Sequence, residues 1–581
     1  MQIVQRFIAR TGALLVTAAC LLAPGTSATA QTSFPLPPQG STAFAFHTTA
    51  LNDPDAYSRR YDARLASDGQ STVVAGIEHI LQRSTLPTTL PVELPVWSST
   101  DRGATWSAQP GMIDAPTCAP GEYIGAGKPS AVPGAIYTLQ NCATVNTVYV
   151  SRDGGRNWQP TRQPITGAGD DEGYITADPT DPSRLYAVTH ILATDVHTIV
   201  VSKSTDGGDT FSQIIVNGRE SASQAMNDSS NFYTPVLIDP RDSQHLYLFW
   251  IANTVASKPC QVPEGSEAVG TWHFMTTAFM ATSTDGGSSW TEGQIQDVDP
   301  NAPPCLDPTD PTRDPHTIYH DVGNLFPDAA LDAAGNPYLV YSEISPGMPL
   351  EQPSHVMLMA SGDGGASFRT VRVDAGGLGA NVNPSIVAGS DGRIDIAWEG
   401  STASDEIDPN ATWAVMLAQS ANAHSPAPTF TQTRVSGLTH TGAICPVSCP
   451  TNGPDTPHVA EHGTVGLAAD GCGDASVMWL EDSQGPESTN AEEIPTVATQ
   501  TAGPTLTDHP AETCPGAAAA PTGAFVKAEH QTRTVSLPAT GLSRSTLMWG
   551  VALLACAALL AAGVAGDPMR STLFSHVPGP R

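Results

Sequence analysis

Apolar and aromatic residues in this chain fall in short runs of alternating or continuous hydrophobicity, each preceded by a tight-turn signal. Ser67-Asp68-Gly69 leads to Val73-Val74, Pro133-Gly134 to Ile136-Tyr137, and Asp178-Pro179 to Leu185–Val188. The series continues with Asp239-Pro240 before Leu246–Trp250, Asp332–Gly335 before Tyr338–Tyr341, Asp391-Gly392 before Ile394–Trp398, and Asp470-Gly471 before Val477–Trp479. Runs of this length bounded by Gly, Pro and Asp read as strands, and no long 3.6-residue periodicity interrupts them between the two chain ends. A second pattern, Ser-x-Asp-x-Gly-x-x-aromatic, follows the first five of these runs, at Ser99–Trp106, Ser151–Trp158, Ser204–Phe211, Ser283–Trp290 and Ser361–Phe368. Ser420-Ala421-Asn422 is a degenerate sixth copy. Each unit therefore predicts an inner hairpin followed by an outer hairpin, four strands in all. Radial repetition of such sheets is a β-propeller of six or seven blades, with the seven turns favouring seven and the N-terminal segment available to complete the closing blade.

Each octet position has a physical task. The carboxylates of Asp101, Asp153, Asp206, Asp285 and Asp363 are placed to accept backbone N–H bonds within a turn, the Gly supplies positive φ, and the aromatic packs back on the hairpin. The octets resemble the Asp boxes, or BNR repeats, of the sialidase superfamily, and the resemblance covers roughly residues 62–500. It implies a propeller whose octet residues are structural and whose ligand site lies around the central channel.

The ends add processing signals. Arg6 and Arg10, the apolar run Ala13–Leu22 and Ala28-Thr29-Ala30 predict a signal peptide over residues 1–30, with a mature start near Gln31; a lipoprotein reading would use Cys20. Residues 31–514 form the propeller and 515–536 a spacer. Over 537–581, Leu537-Pro538-Ala539-Thr540-Gly541 precedes an apolar run, Leu547–Val564, and a tail with Arg570 and Arg581. This order resembles an LPxTG cell-wall sorting signal, which implies sortase as a partner; a plain C-terminal transmembrane anchor is the alternative. Both place the body outside the cell. Eight cysteines lie between the hydrophobic ends, an even number that predicts disulfides; Cys260–Cys305 and Cys118–Cys142 are the expected pairs. Glycine and proline number 52 and 50 among 581 residues, which fits dense turns. A formal net charge of −31 argues against a nucleic-acid partner and for an extracellular domain that resists self-association, expected as a monomer.

Candidate chemistry gathers in the segments leading into the inner strands. Asp171, Glu172 and Asp321 are the candidate carboxylates, and Tyr174, Asn231, Tyr233, His320, Asn381 and Asn383 the candidate binding residues. His458, Glu461 and His462 lie in a further such segment. This mixture of carboxylates, aromatics and amides suits sugar or peptide recognition. The sialidase resemblance implies three arginines gripping a substrate carboxylate, an acid/base Asp and a Tyr activated by a Glu. The family's aromatic-Arg-Ile-Pro motif is replaced here by Tyr61-Asp62-Ala63-Arg64-Leu65, leaving Arg64 as the candidate remnant beside Arg59 and Arg60. No cofactor is expected; Ca²⁺ on the acidic cluster is the one alternative, without an ordered Asp-x-Asp-x-Asp series. His316 and His320 lack the helix that a zinc motif of that spacing needs, and Cys445 and Cys449 lack a second pair, so no metal site is assigned. Two functions remain: a surface-displayed propeller binding a glycan or a protein, and a glycoside hydrolase with a diverged exo-sialidase-like site.

Overall fold

The computed structural model describes residues 44–507 except 52–59, 81–92, 114–123, 127–129, 143–144, 167–172, 192–197, 218–231, 253–276, 298–326, 345–352, 375–376, 407, 445–458, 461–464 and 482–493. The described residues contain no α-helix. They form a seven-bladed β-propeller of four-stranded antiparallel sheets, which resolves the choice between six and seven.

Blade 1 consists of β2 (Arg60–Ser67), β3 (Val73–Ile80), β4 (Glu93–Ser99) and β5 (Ser107–Ile113). Blade 2 has β7 (Ser130–Val132), β8 (Ala135–Cys142) and β9 (Val145–Ser151), with β10 (Gln159–Pro160) and β11 (Ile165–Thr166) sharing its outer edge; β6 (Ile124–Ala126) bridges β3 and β8. Blade 3 is β12 (Gly173–Ala177), β13 (Leu185–Ile191), β14 (Thr198–Ser204) and β15 (Ser212–Ile215). In blade 4 the inner strand is split into β16 (Phe232–Tyr233) and β17 (Leu237–Ile238), followed by β18 (Leu246–Ala252), β19 (Thr277–Ser283) and β20 (Thr291–Asp297). Blade 5 is β21 (Asp328–Leu331), β22 (Pro337–Ile344), β23 (Ser354–Ala360) and β24 (Arg369–Arg372). Blade 6 is β25 (Ala380–Ala388), β26 (Ile394–Ser401), β27 (Thr412–Ser420) and β28 (Thr431–Arg434), with β29 (His440–Thr441) on β27. A parallel pair, β30 (Ala443–Ile444) and β31 (Val459–Ala460), precedes blade 7, whose β32 (Gly466–Ala469), β33 (Ala475–Glu481) and β34 (Ile494–Ala502) are completed by β1 (Ala45–Ala50). The N-terminal strand thus closes the ring, running antiparallel to β34 from Ala45 opposite Ala502 to Ala50 opposite Thr496.

The core is a ring of layers between blades. Leu65, Trp97 and Met478 pack between blades 1 and 7, Tyr186 and Trp250 between 3 and 4, Phe249 and Tyr341 between 4 and 5, and Ile396 and Trp398 with Tyr338 between 5 and 6. Ala397, Leu417, Leu467 and Trp479 fill the layer between blades 6 and 7. Because a strand alternates its side chains between its two faces, each middle strand serves two layers, which explains why these strands read as continuous apolar runs rather than as alternating ones. Each fully buried Trp, Tyr or Phe contributes about 2–3 kcal/mol from surface removed from water.

Candidate functional site

Strand polarity separates the ring into two faces. The octets join third strands to fourth strands, so in an antiparallel blade they share a face with the turns between first and second strands. The connections into each first strand, and those between second and third strands, leave from the opposite, loop face. On the octet face, every octet is the same hydrogen-bonded turn. The Ser Oγ donates to the Asp Oδ1 at 2.7–2.8 Å and accepts from the octet Gly N–H at 2.7–2.8 Å. The Asp Oδ1 accepts the N–H of the seventh residue at 2.8–2.9 Å, and the side chain of that residue donates to Oδ2 at 2.6 Å.

The seventh residues are Thr105, Asn157, Thr210, Ser289 and Ser367, a constant donor that the sequence pattern above left unspecified. Side-chain and backbone bonds from Ser289 and Ser367, with the serines that open the two turns, hold Asp285 and Asp363 down at about 2. The Thr210 hydroxyl and N–H lower Asp206 likewise, and in Asp101 burial pushes upward but is outweighed by the bonds from Thr105 and Ser99 together. These carboxylates are turn formers, as the sequence pattern requires. The degenerate copy keeps part of the turn: Ser420 Oγ donates to Asn422 Oδ1 at 3.2 Å, and Thr429 N–H donates to the same oxygen at 2.9 Å.

The octets also lock neighbouring blades. Tyr186 of blade 3 donates to Gly286 O of the blade 4 octet, and Tyr247 of blade 4 donates to Gly364 O of the blade 5 octet, both at 3.1 Å. Arginines on this face are engaged by inner-turn carboxylates: Arg184 with Asp178 and Asp181, Arg241 with Asp239, and Arg102 with Asp470 and Asp474. Asp332, Asp391 and His424 bring one ligand atom each within 4.8 Å of one another. Asp332 Oδ2, however, already accepts from Asn336 Nδ2, Tyr338 Oη and Gly392 N, so this is a hydrogen-bonded corner and not a cation cage.

On the loop face, several sequence candidates lie among the described residues. Tyr174 on β12 and Tyr233 on β16 meet edge-on with ring centroids 5.4 Å apart, buried in the layer between blades 3 and 4. Arg64, on β2, is 5% exposed. It and Arg60 are the only arginines on the described inner strands, so the three-arginine constellation is not assembled from those strands.

Asn381 is fully buried and belongs to the framework. Its Nδ2 donates to Ser354 O at 2.7 Å, its Oδ1 accepts from Trp398 Nε1 at 2.9 Å, and its N–H donates to Ser354 Oγ at 2.7 Å. With both amide atoms taken, it ties blade 5 to blade 6. Asn383 is also fully buried, sits at φ 56 in a β-bulge of β25, and donates from Nδ2 to Glu399 Oε2 at 2.9 Å. Asp328, at the start of β21, accepts from Ile386 N at 3.1 Å, and Ser385 Oγ donates to Val465 O at 2.6 Å. The inner strands of blades 5, 6 and 7 are thereby joined in series, and the Asn383–Glu399 bond ties the first two strands of blade 6. Asp171, Glu172, Asn231, His320, Asp321 and the paired cysteines' side chains lie outside the described residues. Cys472 is disulfide-bonded, its partner likewise outside them.

Sequence reading missed Glu399 and Asp328, which stand in strands that read as core. It also missed a capping series at the loop-face end of the outer strands. Asn217 Oδ1 accepts from Ile199 N, Asp374 Oδ1 from Val356 N, and Ser436 Oγ from Val415 N, at 2.7–2.9 Å. Each cap follows a buried valine (Val216, Val373, Val435), a two-residue signal that was available in the sequence.

No protein-family model matches the sequence, and no curated protein matches it. Among solved structures the chain is similar to a polysaccharide lyase of family PL25, an ulvan lyase, at 10% identity and TM-score 0.42, over 76% of this chain and 94% of that one. It is similar to the phage phi92 endosialidase at 11% identity and TM-score 0.42, over 92% of this chain and 80% of that one. A GH93 α-L-arabinofuranosidase of Fusarium graminearum shares 13% identity at TM-score 0.38, over 60% and 92% of the two chains. The blade architecture rests on this chain's own strand pairing.

Proposed function

We propose that this chain is an exported, surface-held propeller that binds a carbohydrate or protein ligand at its loop face. The segregation of the two faces supports this reading. The octet carboxylates and the arginines Arg102, Arg184 and Arg241 on the octet face are taken up by turns and ion pairs, whereas the longest connections, residues 253–276 and 298–326 among them, depart from the loop face. Those connections carry the acidic, amide and imidazole side chains suited to sugar hydroxyls or peptide groups. A glycan array probed with the ectodomain, alongside a panel of fluorogenic aryl glycosides including a sialoside, tests it. Binding without turnover is the expected result; absence of binding to both glycans and proteins of the surrounding surface would sink it.

The glycoside-hydrolase alternative is supported by one observation: Arg64 and Glu399, the latter accepting from the Asn383 amide, are buried ionisable groups on the inner two strands of their blades. A residue held at positive φ is a place where a framework stores strain for a site. Turnover of any aryl glycoside that falls a hundredfold or more in Glu399→Gln, with the fold intact, would establish this alternative and displace the first. The anchor is tested separately. No helix among the described residues is long and apolar enough to cross a membrane, and the run at 547–564 lies outside them. Thr540→Ala should release or mislocalise the protein if sortase acts on it; unchanged membrane attachment would favour the plain anchor.

A further inference from the structure

Blades 6, 7 and 1 meet on the octet face around ionisable side chains that the turns themselves do not require. Arg102 occupies an octet position that is Gly in the other four copies, and it holds φ 64 there as Gly154, Gly207, Gly286 and Gly364 hold 66–75. Its guanidinium, 11% exposed, donates from Nε to Asp470 and from Nη2 to Asp474, both in the inner turn of blade 7. Thr499 of β34 reinforces the contact by donating to Gly103 O at 3.2 Å, and Arg102 N donates to Ser71 O. On the blade 6 side, Asp395 follows the same face of β26 as Ala397, which packs in the layer between blades 6 and 7. Asp395 is fully buried, and neither carboxylate oxygen has a well-formed hydrogen bond.

Among the described residues, the groups around Asp395 give it no cation. On β25 its cross-strand neighbour is Val387, and on β27 it is Gln419, whose amide donates to Pro504 O. The blade 7 turn presents Asp470 and Asp474. Arg102 is engaged by those two, Arg393 on Asp395's own side of the turn reaches Thr505 O, and His47 lies on the exposed outer strand. The one guanidinium of the junction is therefore taken by Asp470 and Asp474, and Asp395 stands buried behind them without a counter-charge. We propose that this junction is a proton-operated latch on ring closure: with Asp395 protonated, blade 7 is held between blades 6 and 1, and with Asp395 ionised the seam loosens.

The electrostatics agree with the geometry. Burial pushes Asp395 up to about 7, the Gln419 side chain opposing and Asp474 adding to the rise. Burial and Asp470 also raise Asp474, against the pull of Arg102. A carboxyl raised above its unfolded value of roughly 4 stabilises the closed seam fully below that value, and the stabilisation is lost as pH rises through about 7. The test is hydrogen exchange of the full ectodomain from pH 5 to pH 8, corrected for intrinsic exchange chemistry. Opening of β33, β34 and β1 amides should increase on the order of a hundredfold across that range in the unaltered protein and by less than about tenfold in Asp395→Asn, while blade 3 amides stay level. An equal pH response in Asp395→Asn, or none in the unaltered protein, overturns the latch. If Asp395→Asn does not fold, Asp474→Asn serves instead: it should move the midpoint of the rise to lower pH, and an unmoved midpoint overturns the proposal.

Discussion

Replacing Asn381 with alanine separates a framework role from a ligand role at a single position. The substitution removes the acceptor of the Trp398 indole N–H and the donor to Ser354 O, while the backbone bonds of residue 381 to Ser354 and Ser342 remain. Trp398 has no exposed surface, so its indole N–H is left buried without an acceptor. Each abandoned buried polar group costs about 1–3 kcal/mol, and a small cavity adds to this, giving a loss of roughly 3–5 kcal/mol. Urea titration followed by tryptophan fluorescence measures it, because Trp398 lies in the affected layer and the midpoint should fall with little change in slope. Asn381→Asp keeps the acceptor but turns a buried acid against Ser354 O, so at neutral pH it should lose at least as much as the alanine variant. A loss below about 1 kcal/mol, or undisturbed stability with ligand binding abolished, would refute the clamp and return Asn381 to the ligand.

Gly287→Ala should cost about 1–3 kcal/mol, since φ is +83 there and a Cβ would stand 3.0 Å from the Tyr186 ring; Gly69→Ala, at φ +68 in open space, should cost only about 1 kcal/mol. Comparative thermal melts check the pair, and equal losses would contradict the packing argument. The octet carboxylates have folded values below their unfolded ones, so their stabilisation is present above pH 4 and is lost as pH falls toward about 2. Melting temperature measured from pH 5 to pH 2 should drop, and Asp285→Asn with Asp363→Asn should flatten the drop; an unchanged slope would count against the turn role. Deleting residues 31–50 should leave β34 as an unpaired edge, giving a protein that aggregates and no longer unfolds in one transition, as light scattering and denaturation curves would report.

Seven turns, inner and outer hairpins, and a strand borrowed from the N-terminal segment were legible in the sequence because each is a local signal: a turn residue followed by a run of the right length. The octet Asp residues were also readable as turn formers. Asn381 was not, because its partners Ser354 and Trp398 lie 27 and 17 residues away, in a neighbouring blade and on a neighbouring strand, and only ring geometry unites them. Tyr174 and Tyr233 were read as binding candidates in the segments leading into the inner strands; that the two rings meet edge-on across blades 3 and 4 had no local signal. Glu399 and Asp395 sit within a run of buried residues on β26, where a carboxylate breaks the hydrophobic pattern without announcing what it faces.

Beyond β34 the chain does not simply leave the ring. Leu506 exchanges backbone bonds with Gly473 and Ser390, Thr505 O accepts from Arg393, and Pro504 O accepts from both Gln419 and Gln500, so residues 504–506 are riveted across blades 6 and 7. Tension arriving from the C-terminal side meets these cross-blade rivets first. What passes them runs along β34, which is flanked by β33 and β1, and must shear two ladders at once instead of peeling one open. A propeller held this way can bear a mechanical load through its closing blade, and the strand that completes the circle is also the one that resists the pull.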